Sequence, residues 1–328
     1  MNRFTITYKD VLKEKIIFDI ITGQKKTIFV PLSIPLWMRV SKKKILLYSQ
    51  DPYFREGYKI FESILDSQLN IFCKNYTYIL IRPDAVVARK IELIINELKK
   101  NNFEPIYSRT LKINRHMSRA IWFYHLNAAP TERFSIIDFF FQNKECLFII
   151  LKNDKCTNAS LELSRIKGSV DIKKRNNHDL RSKICAEGNL LSFIHTPDDS
   201  CDLIREMMIF FTPSLIKNIF NSINSNNKQD INLIIQKLYK KTKGKDLSLK
   251  TVFQKVKREL FLLSDYYQTE KDFLINELPK SLRIDYKNQK KFLNNLFQLP
   301  LNLDNWDKII LLSHFSQKDL LNIKYLDH

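Results

Sequence analysis

Apolar positions along this chain follow three different rhythms, and each predicts a different kind of unit. In residues 1–75 the apolar runs are short and strand-like. Ile16–Ile20, Thr27–Val30 and Lys44–Tyr48 read as strands, with a turn at Thr22-Gly23-Gln24. Tyr58–Leu69 then places Ile60, Phe61, Ile64, Leu65 and Leu69 at helical spacing. This predicts a small strand-rich unit that closes on a helix.

From Tyr76 the pattern alternates strand with helix. Tyr78–Ile81 is a buried-strand run that ends at Pro83. Ala88–Asn101 is amphipathic, with Ile91, Leu93, Ile94, Ile95 and Leu98 on or near one face. Ile106–Leu111, Cys146–Leu151 and Leu190–Ile194 are further strand candidates, and Arg115–Tyr124, Asn158–Ile166 and Cys201–Phe211 are helical. Such an order predicts an α+β sandwich over 76–213. Beyond Pro213 the three-to-four spacing dominates, in Leu215–Ile223, Asp230–Lys240, Leu249–Leu263 and Asn288–Phe297. Residues 214–328 therefore read as a helical domain, with polar breaks at 222–228 and 240–245.

Length and composition narrow the picture. The 328 residues are 44% hydrophobic and 27% charged, which fits a soluble multidomain protein. No run of eighteen apolar residues predicts a membrane span, and the start lacks the apolar core of a signal peptide. Cys73, Cys146, Cys156, Cys185 and Cys201 contain no Cys-x-x-Cys pair, which points to a reducing compartment, the cytoplasm. The net charge of +19 fits an acidic partner such as nucleic acid or nucleotide phosphates. Yet the excess of Lys and Arg over Asp and Glu is 6 in residues 1–75, 5 in 76–213 and 8 in 214–328, so no segment concentrates it. A chain rich in Lys, Asn and Ile acquires such a charge without a nucleic-acid site.

The candidate chemistry lies in one ordered set. Arg82-Pro83-Asp84 follows the strand at Tyr78–Ile81, and Pro83 should stop that strand and leave Arg82 at its end. A guanidinium there can clamp phosphate oxygens. His195 follows the run Leu190–Ile194, and Glu206 falls eleven residues later, in the next helix. A carboxylate holding one ring N–H leaves the other nitrogen as a nucleophile. Arg181 precedes the histidine by fourteen residues.

Residues 76–213 resemble the nucleoside diphosphate kinase family. The family's Lys-Pro-Asp-Gly is matched by Arg82-Pro83-Asp84-Ala85, and the spacing continues without a gap to Lys99-Lys100-Asn101-Asn102-Phe103. Its Arg-Asn-x-x-His-Gly-Ser-Asp segment is similar to Gly188–Asp199, and Arg165-Ile166-Lys167-Gly168 resembles a helix end near its phosphate site. The resemblance implies a ferredoxin-like α/β sandwich that moves a γ-phosphate through a phosphohistidine. His195 would be the nucleophile and Glu206 its orienting carboxylate, with Arg82 and Arg181 on phosphates and Mg²⁺ bridging them. Trp122 would be the aromatic of the site, with Phe123 and Tyr124 as close alternatives, and Phe134 would stack on the base. Two further family positions are occupied by Ser192, for which Asn189 would substitute if an extra residue bulges the strand, and by Ser164, with Arg165 one step away. Val170, Thr196 and Pro197 depart from the family pattern at the phosphate-binding threonine and the Gly-Ser after the histidine.

Three functions compete on this basis. The first is a divergent phosphotransferase taking a nucleoside triphosphate and an unidentified acceptor. The second is a catalytically weak nucleotide-binding or interaction module. The third is a basic protein associated with nucleic acid. The family's habit of self-assembly makes a homo-oligomer an open option, and no membrane partner is expected.

Overall fold

Two short strands, Lys15–Phe18 (β1) and Lys25–Phe29 (β2), pair antiparallel, and then helices take over: Lys42–Tyr48 (α1), Pro52–Leu65 (α2) and Leu69–Asn75 (α3). The structure is a computed structural model and describes residues 15–18, 25–29, 34–38, 40–126, 131–187, 190–225, 230–278 and 286–315. The strand-rich N-terminal unit expected from the sequence is thus reduced, among the described residues, to one hairpin. Asp19, Ile20, Val30 and the turn at 22–24 lie outside the described residues.

Lys44–Tyr48, expected as a strand, belongs to α1. Ser41 caps this helix, its hydroxyl accepting from the Lys44 amide at 3.2 Å. The run Ile45-Leu46-Leu47 has no period of its own. The helix is chosen because it brings Lys44 and Tyr48, four residues apart, onto one face against Asp199 and Asp202.

The central sheet is built from Tyr76–Ile81 (β3), Glu104–Leu111 (β4), Cys146–Lys152 (β5) and Ile194–His195 (β6). All neighbours are antiparallel, in the order β4-β5-β3-β6. Between β3 and β4 lie Pro83–Val87 (α4) and Ile91–Lys100 (α5). Arg115–Ile121 (α6), Phe123–Leu126 (α7) and Thr131–Phe141 (α8) connect β4 to β5. Ala159–Lys167 (α9) and Leu180–Lys183 (α10) lead to β6, which is followed by Ser200–Phe210 (α11).

Both middle strands are buried along nearly their whole length because helices cover both faces. Ser160 of α9 donates to the Thr77 hydroxyl at 3.0 Å, so α9 covers the face that carries Thr77. Tyr78 points the other way, by strand alternation, and meets α11. Helix α2 packs along α11. A Cβ on Gly57 would fall 2.5 Å from Met208 Cγ and 2.9 Å from Ile204 Cγ2, so the absence of a side chain sets how closely these helices approach.

The expected strand at Leu190–Ile194 is shorter than its apolar run, with only Ile194 and His195 in the ladder. Phe193 has φ 63°, a left-handed conformation that breaks extended backbone. The C-terminal region is helical, as its spacing predicts, in Pro213–Asn224 (α12), Ile231–Lys241 (α13), Leu249–Phe261 (α14), Gln268–Glu277 (α15), Tyr286–Gln298 (α16) and Asn305–Phe315 (α17). Helices α12 and α13 lie against β4, and α17 packs on α8 and α14. No helix among the described residues is long and apolar enough to cross a membrane.

Candidate functional site

His195 pairs across the sheet with Leu80, and its Nε2 lies 3.1 Å from each carboxylate oxygen of Glu206. A carboxylate only accepts, so the ring donates from Nε2 and Nδ1 remains the basic nitrogen. Local structure sets this geometry. Asp199 caps α11 by accepting from the Cys201 and Asp202 amides at 2.8 and 3.1 Å, which starts the helix just after His195. Two turns further on, Glu206 faces back to the imidazole. Tyr78, fully buried on β3, donates its hydroxyl to Glu206 Oε2. Burial, then the Glu206 charge, drives the phenol pKa far up, so it stays a donor.

Trp122 sets its indole edge-on to the imidazole, with ring centroids 5.7 Å apart, and stacks on Phe141 at 5.8 Å. Of the other two aromatics in register, Phe123 is exposed, and Tyr124 turns away to donate to Asp51 at 2.9 Å.

Arg82 is buried and already engaged. Its guanidinium donates to the Ser192 hydroxyl and to the Leu190 carbonyl at 2.6 Å, and sits over the Phe140 ring at 4.6 Å. The Arg-Pro-Asp segment also grips the strained residue. The Arg82 amide donates to the Phe193 carbonyl, and the Phe193 amide donates to Asp84 Oδ2, both at 2.9 Å. The left-handed conformation at Phe193, two residues before His195, is therefore held on both sides.

Arg181 donates to the Gly168 carbonyl at 2.7 Å and the Ile194 carbonyl at 3.3 Å, which places it beside the histidine's own strand. Its Nε is buried without a partner, as is the Thr196 hydroxyl. Burial first, then the positive charges of Arg175 and Arg82, hold the Arg181 guanidinium down at about 9. It is still cationic at neutral pH, so the cost takes the form of unneutralised positive charge, which an anion would relieve.

Arg165 and Phe134 do not join this group. Arg165 pairs outward with Glu162 at 2.6 and 2.9 Å on the exposed face of α9. The family-register residue beside it, Ser164, reaches instead to Asp198 at 2.7 Å. Phe134 lies under the Arg119 guanidinium at 4.8 Å, in a separate cluster with Asp138. Asn189 lies outside the described residues. In the sequence, Tyr78 has no role beyond its strand, and Asp84 and Ser192 have none beyond their place in the motifs. A tyrosine inside a wholly buried strand was the available signal for the first, since a buried phenol needs an acceptor.

The family model described as nucleoside diphosphate kinase matches residues 75–216. These residues form a nucleoside diphosphate kinase family domain. Comparison of the chain with curated proteins finds no match. Among solved structures, the apo, cubic-form nucleoside diphosphate kinase of Encephalitozoon cuniculi is 18% identical, with 41% of this chain and 87% of that one covered and a TM-score of 0.36. The Aquifex aeolicus nucleoside diphosphate kinase is 16% identical, covering 42% and 94%, with a TM-score of 0.36. The halophilic nucleoside diphosphate kinase of Halobacterium salinarum, in complex with CDP, is 16% identical, covering 42% and 88%, with a TM-score of 0.34.

Proposed function

We propose that the nucleoside diphosphate kinase domain is a divergent phosphotransferase that carries a γ-phosphoryl group on His195 between a nucleoside triphosphate and an acceptor. The observation that carries this reading is the Nε2 contact to both oxygens of Glu206, which turns Nδ1 into the available lone pair. In the first half-reaction Nδ1 attacks the γ-phosphorus in line. The N–P bond forms, the bond to the bridging oxygen breaks, and the nucleoside diphosphate leaves with those electrons. The imidazole becomes cationic as it is phosphorylated, and Glu206 stabilises that charge through Nε2–H. In the second half-reaction an acceptor oxygen attacks the same phosphorus and returns the ring to neutrality. Arg181, with an unpartnered Nε and a surplus of positive charge around it, supports the role of phosphate ligand.

Among the described residues, no cluster of three or more His, Cys, Asp or Glu side chains is placed to hold a metal by itself. The Mg²⁺ that the family resemblance implies would be carried by the nucleotide's own phosphates, since Asp198, the carboxylate nearest in sequence to His195, already accepts from Ser164 and Lys167. When bound, Mg²⁺ would offset phosphate charge, with Arg181 adding to it.

A second reading, a nucleotide-binding module with little turnover, draws on Arg82. Its guanidinium is committed to Ser192 and Leu190, so it acts as a brace for the His195 loop more than as an open phosphate ligand. The test is intact mass after incubation with Mg·ATP or Mg·GTP. One added phosphate, labile to acid and absent in His195→Ala, supports the transferase. Nucleotide binding with no covalent phosphate on the wild type supports the module.

A further inference from the structure

We infer that Tyr78 is a positioning residue for His195, acting through Glu206 to fix the imidazole's tautomer and restrain its proton affinity. This inference rests on the reading of His195 as the phosphate carrier.

The geometry supplies a three-member chain. The Tyr78 hydroxyl donates to Glu206 Oε2, and both oxygens of that carboxylate stand 3.1 Å from His195 Nε2. The phenol cannot drift. It is wholly buried, stacks on Phe148 at 4.8 Å and meets Phe210 edge-on at 5.6 Å. Three packed elements, β3, β5 and α11, therefore aim one hydroxyl at one carboxylate oxygen.

The chemical effect follows from competition for the carboxylate's charge. A donor on Oε2 draws electron density from Glu206 and weakens its hold on the Nε2 proton. A carboxylate with no such donor would favour imidazolium in the resting protein, and imidazolium has no lone pair at Nδ1. With Tyr78 in place, Glu206 orients the neutral ring but does not over-stabilise its protonated form. Its full charge is engaged when phosphorylation makes the ring cationic.

Other charged and titratable groups face this chain and must stay constant in any test. Asp202 and Asp198 act on Tyr78 electrostatically. Tyr48 and Arg205 act on Glu206 from α1 and α11. Arg181 approaches from the Ile194 carbonyl. Among the described residues, the Tyr78 hydroxyl is the one hydrogen-bond donor to the Glu206 carboxylate besides the imidazole.

The test is a nitrogen-15 NMR titration of the six histidines in the full chain, with His195→Ala identifying the His195 signals. In the wild type the neutral ring carries its proton on Nε2. Tyr78→Phe removes one hydroxyl and keeps the ring that fills the core. The His195 titration midpoint is expected to rise by about one pH unit in this variant. The acid limb of the phosphorylation rate should move up with it. On a Glu206→Gln background the same substitution is expected to add nothing, because the effect travels through the carboxylate.

An unchanged His195 midpoint in Tyr78→Phe overturns the inference, and so does an equal shift on the Glu206→Gln background. The titration needs no nucleotide. A protein that never takes phosphate but shows the Tyr78 shift therefore refutes the phosphohistidine reading alone.

Discussion

The two flanks hold the central sheet by different physics. On the N-terminal side, residues 42–75 grip α11, the helix that carries Glu206, through buried charge. Asp51 and Arg205 meet at 2.8 Å with side chains only 5% and 2% exposed, and Arg205 donates onward to the Ala120 carbonyl at 2.8 Å, just before Trp122. Lys44 bridges Asp199 and Asp202 at 2.5 Å each, at the start of the same helix. On the C-terminal side, α13 grips the opposite region. Arg89 lies over the Tyr239 ring at 4.3 Å and donates to the Tyr239 carbonyl at 3.2 Å, while Tyr239 donates to Glu92 at 2.7 Å. Those contacts are open to water. The difference teaches that the N-terminal helices are built into the support of the candidate site, whereas α13 clasps the sheet from outside.

The largest test of this contrast is Asp51→Ala. It strands the Arg205 charge in a buried position, and a loss of about 3–5 kcal/mol is expected in urea unfolding. The same loss from Arg89→Ala would erase the contrast.

Next in size is the pH response of the α11 cap. Burial first, then the Asp202 charge, raises Asp199 from 3.8 to about 6 despite Lys44. Because the folded state holds this proton more tightly than the unfolded chain, the contribution is full below about 4 and is lost as pH rises to about 6. Unfolding midpoints measured across that window should show this slope in the wild type and lose it in Asp199→Asn.

A smaller effect is expected for Gly57→Ala. Crowding against Met208 and Ile204 costs about 1–3 kcal/mol, and better helix propensity returns about 1. The net loss is read from the denaturation midpoint. Smallest is Arg89→Ala, at about 1 kcal/mol or less for an exposed stack and its carbonyl contacts.

Much of the domain was legible in the sequence because its signals are local. The buried runs at Tyr78–Ile81 and Cys146–Leu151 read as strands and are strands, and His195 and Glu206 stand at a spacing that a strand end and two helical turns reproduce. The helical periods after Pro213 were equally local. Helix α8 was missed because its apolar residues run nearly all round, so no face stands out. Arg165 against Ser164 was decided by a helical rotation of one residue, which only the packing of α9 fixes.

By itself, then, the sequence determined which segments hide from water and which polar residues end them, because burial and period are properties of neighbours along the chain. Tertiary structure decided the rest. Lys44–Tyr48 became a helix because Asp199 and Asp202, over 150 residues away, accept from its Lys and Tyr. Phe193 left the extended conformation because Arg82 and Asp84 hold its backbone from both sides. Tyr78 became a partner of Glu206 because two elements met face to face. Each of these outcomes depends on a charge or hydrogen-bond partner that no local window of sequence contains.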